Sequence, residues 1–384
     1  MKILWVNHIS LDSDVYSTFP LQIVYALRKR GHHVQLIVPS VNNKNRSSLF
    51  TDVTFVPVIR LPILSILSFF FLLLFYIPKF IKKERPDVII GNLWEYPGLI
   101  IATLFRRTKL VFDARASIGN YSFSRELIVY STAIKIAMHL KNGITVTSKA
   151  LKEELCAYGI NKKRIGVITN GVSMELFDNQ DQGSFAERFR EEHNLKGKFI
   201  IMYHGSLGPL RGLPQTLKAI KICSSKHPDI IFFILGSGNK NYESKIKNFT
   251  AQNSLENNIL LHPPVVHDQV PKFLSICNVG IVALATYSYP ATSCPLKLLE
   301  YMAMGKPVIS TTIHFSKEVF AQGKCGELIS SNKPQHIAAA IEHMYNHKDM
   351  LLQMGAVGRT IVEQHYTWLE KAKDFENFIG ELSQ

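Results

Sequence analysis

The chain has 384 residues, enough for two domains of ordinary size that each bury their own core. Its formal charge of +14 implies an anionic partner: nucleic acid, acidic lipid headgroups or phosphorylated substrates. The five cysteines (Cys156, Cys223, Cys277, Cys294 and Cys325) show neither metal-ligand spacing nor a pairing pattern, which excludes a disulfide framework and fits a reducing compartment.

The opening residues, MKILWV, run straight into a strand pattern without the layout of a signal peptide, so a cytoplasmic protein is expected. Short apolar runs then alternate with helical stretches, the pattern of parallel α/β layers. In the first half, strands are predicted at 3–7, 34–38, 53–56, 88–91, 110–113 and 143–147. Between the first two, Phe19, Ile23, Ala26 and Leu27 recur at helical spacing, and Gly31 ends that helix. The run 61–77, LPILSILSFFFLLLFYI, carries no charge and continues into PKFIKKER. It falls short of the ~20 apolar residues a spanning helix needs. A true span would also put the strands on either side of it across the membrane from each other. Two readings stay open: a wholly buried crossover helix, or a helix whose outer face dips into a membrane surface. In the second, Lys79, Lys82, Lys83 and Arg85 sit among anionic headgroups, which explains the basic charge without nucleic acid. The Lys and Arg elsewhere are dispersed and not interleaved with aromatics on one face, as a nucleic-acid binder would have them.

The Phe112-Asp113-Ala114-Arg115 segment closes one strand, and Ser148 is positioned as the N-cap of the helix after 143–147. Val167-Ile168-Thr169-Asn170-Gly171-Val172 ends in an Asn-Gly turn. The polar stretch 179–198 reads as a linker between domains 1–178 and 199–366. Strands of the second domain are predicted at 199–203, 230–235, 259–261, 279–283, 307–310 and 327–329. Tyr203 to Gly212 (YHGSLGPLRG) gives strand, Gly-rich loop and helix, an arrangement that brings backbone N–H groups to a diphosphate. Leu235-Gly236-Ser237-Gly238 is a further tight turn, and His267 reads as a surface histidine. The most informative stretch is 292–310, TSCPLKLLEYMAMGKPVIS: a loop, a short helix centred on Glu300, a stop at Gly305 and a strand opening at Pro307. It aims one carboxylate and the N–H groups of a helix N-terminus at the carboxyl edge of a parallel sheet, where ligands bind. The last segment, 367–382, is helical, with Trp368, Ala372, Phe375 and Phe378 apolar.

The 292–310 string closely resembles the nucleotide-sugar motif of family 4 glycosyltransferases of the GT-B fold. That motif is E-x7-E followed by A-M-A-x-G-x-P-V, here in a variant reading S-C-P-L-K-L-L-E-Y-M-A. Residues 168–177 are similar to the family's I-x-N-G-V-D-x-x-x-F, with Ser173 in place of Asp. The resemblance implies two Rossmann-like α/β/α domains facing across a cleft, with the helix 367–384 packed back on the first. It implies that Glu300 grips the donor ribose, that Gly236 and Gly238 lie near the base, and that the Pro263-Pro264-Val265 loop with His267, Val270 and Pro271 borders the base. Arg211, at the family's Lys position, neutralises the leaving diphosphate beside Gly205, while Ser206 stands where Arg is usual and offers a hydrogen bond. Thr292 replaces the first Glu, so the hydroxyl of Thr292 or Ser293 contacts sugar or phosphate. At the start of the helix, Leu296 and Lys297 follow; Lys297 either serves the diphosphate or pairs with Glu300. On the acceptor side the loop 7–14 lacks the family's glycines, and Asp113-Ala114-Arg115 resembles a D-x-R variant that replaces its His. Arg115 there suits an anionic acceptor group, with Asp113 as base or as the residue that orients Arg115.

The implied reaction transfers a sugar, with retention, from a UDP- or GDP-type donor to a hydroxyl of a lipid-linked or polysaccharide acceptor. No metal or other cofactor is expected, since no D-x-D is placed to hold one, and the enzyme would sit at the inner membrane face. A nucleotide-sugar 2-epimerase of the same fold is an alternative that the apolar helix argues against. A non-catalytic protein binding anionic surfaces is another.

Overall fold

The structure is a computed structural model that describes residues 1–8, 18–40, 53–58, 62–92, 98–100, 108–115, 143–178, 183–286 and 289–382. Residues 9–14 of the first loop therefore lie outside the described residues. The chain divides into two compact units, Met1–Asn170 joined by Trp368–Gln384, and Gly171–Thr367.

Unit 1 holds β1 (Lys2–Val6), β2 (His33–Ser40), β3 (Val53–Pro57), β4 (Val88–Gly91), β5 (Lys109–Ala114), β6 (Gly143–Val146) and β7 (Ile165–Val167). They form one parallel sheet in the order β3-β2-β1-β4-β5-β6-β7. Alternate residues of β1 feed opposite faces, as strand geometry requires. Ile3 and Trp5 pack with the helix Thr18–Lys29 and the C-terminal helix, whereas Leu4 and Val6 pack with the helix Pro62–Glu84. The strand β7 is an addition to those predicted; its three residues are too short for periodicity to reveal.

The C-terminal helix Trp368–Glu381 belongs to unit 1. Trp368 meets Phe19 edge-on at 5.4 Å, and Phe375 lies 5.9 Å from Trp5. Glycine makes room for it in the sheet: a Cβ on Gly166 would lie 2.4 Å from the Phe378 ring. Glu376 accepts two hydrogen bonds from Arg30, both at 2.6 Å, which fixes the helix along the first one.

Unit 2 holds β8 (Phe199–His204), β9 (Ile230–Leu235), β10 (Ile259–His262), β11 (Val279–Val282), β12 (Val308–Thr311) and β13 (Gly326–Ile329). Their parallel order is β10-β9-β8-β11-β12-β13. Both faces are covered by helices, which is why β9 reads as the unbroken apolar run IIFFIL with every residue buried. The order reverses next to β8, and the crevice at the carboxyl ends of strands at such a reversal is the ligand position of open α/β sheets.

The stretch 179–198 corrects the expectation of a linker. It contains the helix Gly183–Glu192, whose Phe189 is buried against Phe233 and Phe273 of unit 2. Its polar composition reflects an amphipathic helix with a narrow apolar face. The chain instead passes between units at Asn170–Gly171 and Thr367–Trp368.

Candidate functional site

At the carboxyl end of β8 the chain leaves the sheet through His204, turns at Gly205 and reaches the short turn Pro209–Arg211 before the helix Leu213–Ser224. Gly205 has φ +109, a conformation that L side chains rarely adopt. On the neighbouring strand a Cβ at Gly236 would lie 2.0 Å from the Gly205 carbonyl oxygen, so the two turns touch backbone to backbone. Leu207 N–H donates to the Ser237 carbonyl at 2.8 Å, locking both loops together, and Gly238 N–H donates to Glu243 at 2.9 Å, tying the second turn to the helix that follows it. Gly205 and Ser206 are exposed at the top of this double turn.

The helix Leu296–Ala303 forms the other side of the site. Tyr301 anchors it to the sheet: its hydroxyl donates to the Met202 carbonyl at 2.7 Å, and its ring takes the space of a side chain at Gly280. Arg359 donates to the Ala303 carbonyl at 2.9 Å and so caps the C-terminus. No side-chain hydrogen bond caps the N-terminus at Pro295; the Leu298 N–H turns back onto the Pro295 carbonyl at 3.1 Å, and the N–H groups of Leu296 and Lys297 at the very start suit an anion. Half-buried Thr292 and Ser293 lead into that end, with half-buried Leu296 in its first turn.

Lys297 does not pair with Glu300. Its ammonium lies 3.7 Å from the centre of the Tyr203 ring and beside Gly205, where a Cβ would meet Nζ at 3.4 Å. Burial, and then the positive charge of Arg211, push the Lys297 ammonium well below its usual range. Arg211 and a Lys297 that loses its proton more readily than usual stand beside a Gly-rich turn and a helix N-terminus, an arrangement that suits an anion, whose charge would in turn favour the protonated Lys297.

Glu300 is 4% exposed and is gripped by two histidines. His204 Nε2 lies 2.7 Å from Oε2, and His267 Nε2 lies 2.8 Å from Oε1. Burial alone would raise the carboxyl pKa, but the two imidazole hydrogen bonds and their charge outweigh it and hold Glu300 at about 2. His204 itself is driven below its usual pKa by burial. At His267 burial works the same way, yet Glu300 prevails and raises it. The reading of His267 as a surface residue is thus corrected: its ring bridges Glu300 and Phe177, whose centre lies 5.7 Å away. His204, buried at the end of β8, was visible only as part of the Gly-loop string. No local signal marks the partnership of either one with Glu300, because 96 and 33 residues separate them from it.

In unit 1, Asp113 is buried and serves Arg115. Arg115 Nε donates to both carboxylate oxygens at 3.0 and 2.9 Å, and Thr145 adds a hydroxyl bond at 2.8 Å. The guanidinium stacks on Phe19 at 3.1 Å and donates to the Ile168 carbonyl at 3.3 Å. An aspartate with this many donors orients its arginine and is poorly placed to take a proton from a substrate.

Residues 17–176 match the family described as Glycosyltransferase Family 4, and residues 185–360 match Glycosyl transferases group 1. The chain is 26% identical over 233 residues to a D-inositol 3-phosphate glycosyltransferase of Paenarthrobacter aurescens, a match covering 60% of this chain and 55% of that protein. The chain thus spans little more than half the length of that relative. It is 24% identical over 318 residues to the capsular polysaccharide biosynthesis glycosyltransferase CapM of Staphylococcus aureus, covering 78% of this chain and 79% of CapM. Among solved structures, Anabaena Alr3699/HepE in complex with UDP superposes with a TM-score of 0.79 at 17% identity, covering 99% of this chain and 100% of HepE. That likeness establishes the shared two-domain α/β fold.

Proposed function

The chain belongs to the group 1 and family 4 glycosyltransferases, has the GT-B fold, and from that premise we propose that it transfers a sugar from a UDP- or GDP-type donor to a hydroxyl of a lipid-linked or polysaccharide acceptor at a membrane face. One observation carries this reading: Arg211, Lys297, the Gly205 turn, the helix N-terminus at Leu296 and the ionised Glu300 converge at the carboxyl end of β8. An anion site next to a buried carboxylate matches a nucleoside diphosphate, whose phosphates need cations and whose ribose needs an acceptor. In the proposed reaction negative charge grows on the departing diphosphate, and Arg211 and Lys297 are the proposed groups that stabilise it, with no metal invoked. Retention at the anomeric carbon belongs to the same proposal. Arg115, oriented by Asp113, is the proposed holder of an anionic acceptor group. The test is a thermal-shift screen of nucleotide sugars followed by a hydrolysis assay on those that bind. A UDP- or GDP-sugar is expected to raise the melting temperature and to be slowly hydrolysed; stabilisation by none of them sinks the reading.

The membrane part of the proposal rests on the helix Pro62–Glu84. Phe69, Leu73, Ile77 and Ile81, spaced by four, face the core. On the outer side Phe71 is 59% and Phe75 67% exposed, and Lys79, Lys82, Lys83 and Arg85 are exposed around its C-terminal end. Among the described residues no helix is long and apolar enough to cross a membrane. An exposed aromatic pair followed by cations suits the surface of an anionic bilayer, where each cation adds about 1 kcal/mol of attraction that salt screens. Vesicles rich in phosphatidylserine are expected to sediment the protein at low salt and to release it at high salt. Phe71→Ser with Phe75→Ser, or the four cations changed to Gln, should abolish sedimentation while leaving the circular dichroism unchanged. A wild-type chain that stays in the supernatant at low salt would remove the membrane from the proposal.

A further inference from the structure

Glu300 is held more firmly than a single ligand contact requires. An ionised carboxylate offers about four lone-pair sites, two on each oxygen. His204 takes one on Oε2 and His267 takes one on Oε1. Among the described residues no other group is bonded to these oxygens, so one site per oxygen remains, which is the number that a vicinal diol fills with one hydroxyl to each oxygen.

The arrangement leaves a visible cost at His204. Among the described residues its Nδ1 is buried without a hydrogen-bond partner, although buried polar atoms are nearly always satisfied. The Nε2 proton is committed to Glu300, so in the neutral ring Nδ1 is a bare acceptor. Tyr301 meets the His204 ring edge-on at 4.8 Å, and the residue is 6% exposed, so the ring is packed in place. His267 completes the grip from the outside. Its side chain is 30% exposed, it sits on the one-turn segment His267–Gln269 after β10, and Phe177 backs its ring. An inner imidazole fixed by the sheet and an outer one fixed by an aromatic ring thus hold the carboxylate at both oxygens.

We propose that His204 and His267 are positioning residues that set the Glu300 carboxylate to receive a vicinal cis-diol, so that the site selects ribonucleotides over their 2′-deoxy counterparts. This rests on the donor-binding role of Glu300 proposed above, and the experiment separates the two. The full chain is titrated calorimetrically with UDP and 2′-deoxy-UDP, and with GDP and 2′-deoxy-GDP, as wild type and as His267→Ala, His267→Gln and Glu300→Gln. In the preferred pair, wild type should bind the ribose form about tenfold more tightly, the value of one hydrogen bond to a charged group. His267→Ala should lose most of that preference by weakening the ribose form and leaving the deoxy form unchanged. His267→Gln keeps an N–H at the Nε2 position and should restore much of it. A merely structural histidine would weaken both nucleotides alike, and that outcome overturns the proposal, as does wild-type binding without preference or no binding of either pair. If Glu300→Gln keeps the preference, the ribose role of Glu300 falls. If Glu300→Gln loses it and His267→Ala does not, the histidine proposal alone falls.

Discussion

Glu300→Gln is expected to weaken nucleotide binding by roughly 10- to 100-fold, the equivalent of about 1.5–3 kcal/mol for a lost charge-assisted hydrogen bond. The isosteric amide keeps the shape of the side chain but presents one oxygen and one NH2 group. His204 and His267 each direct an Nε2 at one carboxylate oxygen, so one of the two imidazoles would face a donor where it now finds an acceptor. The substitution therefore removes the charge and misaligns the group that remains. Calorimetry with UDP and GDP measures it directly, and an unchanged affinity would take Glu300 out of the binding site. Acid unfolding supplies a second reading of the same variant. The carboxyl pKa falls from the usual 4.5 to about 2 in the folded chain. A depressed pKa contributes stability that is full above the unfolded value and is lost as pH drops through the folded one. Wild type should lose this contribution between about pH 4.5 and pH 2, and Glu300→Gln should show no such loss from this site.

Arg211→Ala is expected to lower kcat by about 100-fold, on the order of the loss when one preorganised donor to a developing charge is removed. Negative charge accumulates on the leaving diphosphate as the glycosidic bond breaks, so an interaction with it is worth more in the transition state than with bound donor. The donor KM should rise by much less. Lys297 cannot fully compensate, because burial and the neighbouring Arg211 already push its ammonium toward the neutral form. Removing Arg211 relieves part of that pressure, which should leave a residual activity that falls at high pH as Lys297 loses its proton. Arg211→Lys retains a point charge without the two-pronged geometry and should fall between the two. Steady-state kinetics on the donor found in the screen decide the matter: a change confined to KM would make Arg211 a uniform binder with no part in leaving-group stabilisation.

The alternating apolar runs were enough to place the strands of both parallel sheets, because a strand buried on both faces has little choice but to be continuously apolar. Among the described strands only β7, at three residues, escaped. The helix Gly183–Glu192 was misread as a linker, since one buried phenylalanine and a few half-buried neighbours leave the rest of its sequence as polar as a loop. In the same way the run 61–77 gave its hydrophobicity but not its orientation. Which phenylalanines face the core and which face outward depends on the sheet beneath: Phe69 packs inward while Phe71 and Phe75 stand out.

The donor-side candidates Gly205, Ser206, Arg211, Gly236, Gly238, Thr292, Ser293, Leu296, Lys297 and Glu300, whose donor roles belong to the proposal, could be picked out from the sequence because each lies in a short string whose turns and helix starts are local. Their chemistry travels with their neighbours along the chain. Partnerships across the fold were not legible. The sequence by itself left Lys297 a choice between a phosphate and Glu300, and Asp113 a choice between base and orienter. Tertiary structure set Lys297 over Tyr203 and Asp113 under Arg115 and Thr145. It also brought His204 from the end of β8 and His267 from the loop after β10 onto one carboxylate. A hydrogen bond between side chains depends on distances of about 3 Å, and residues far apart in sequence acquire such distances only when the strands that carry them are packed side by side.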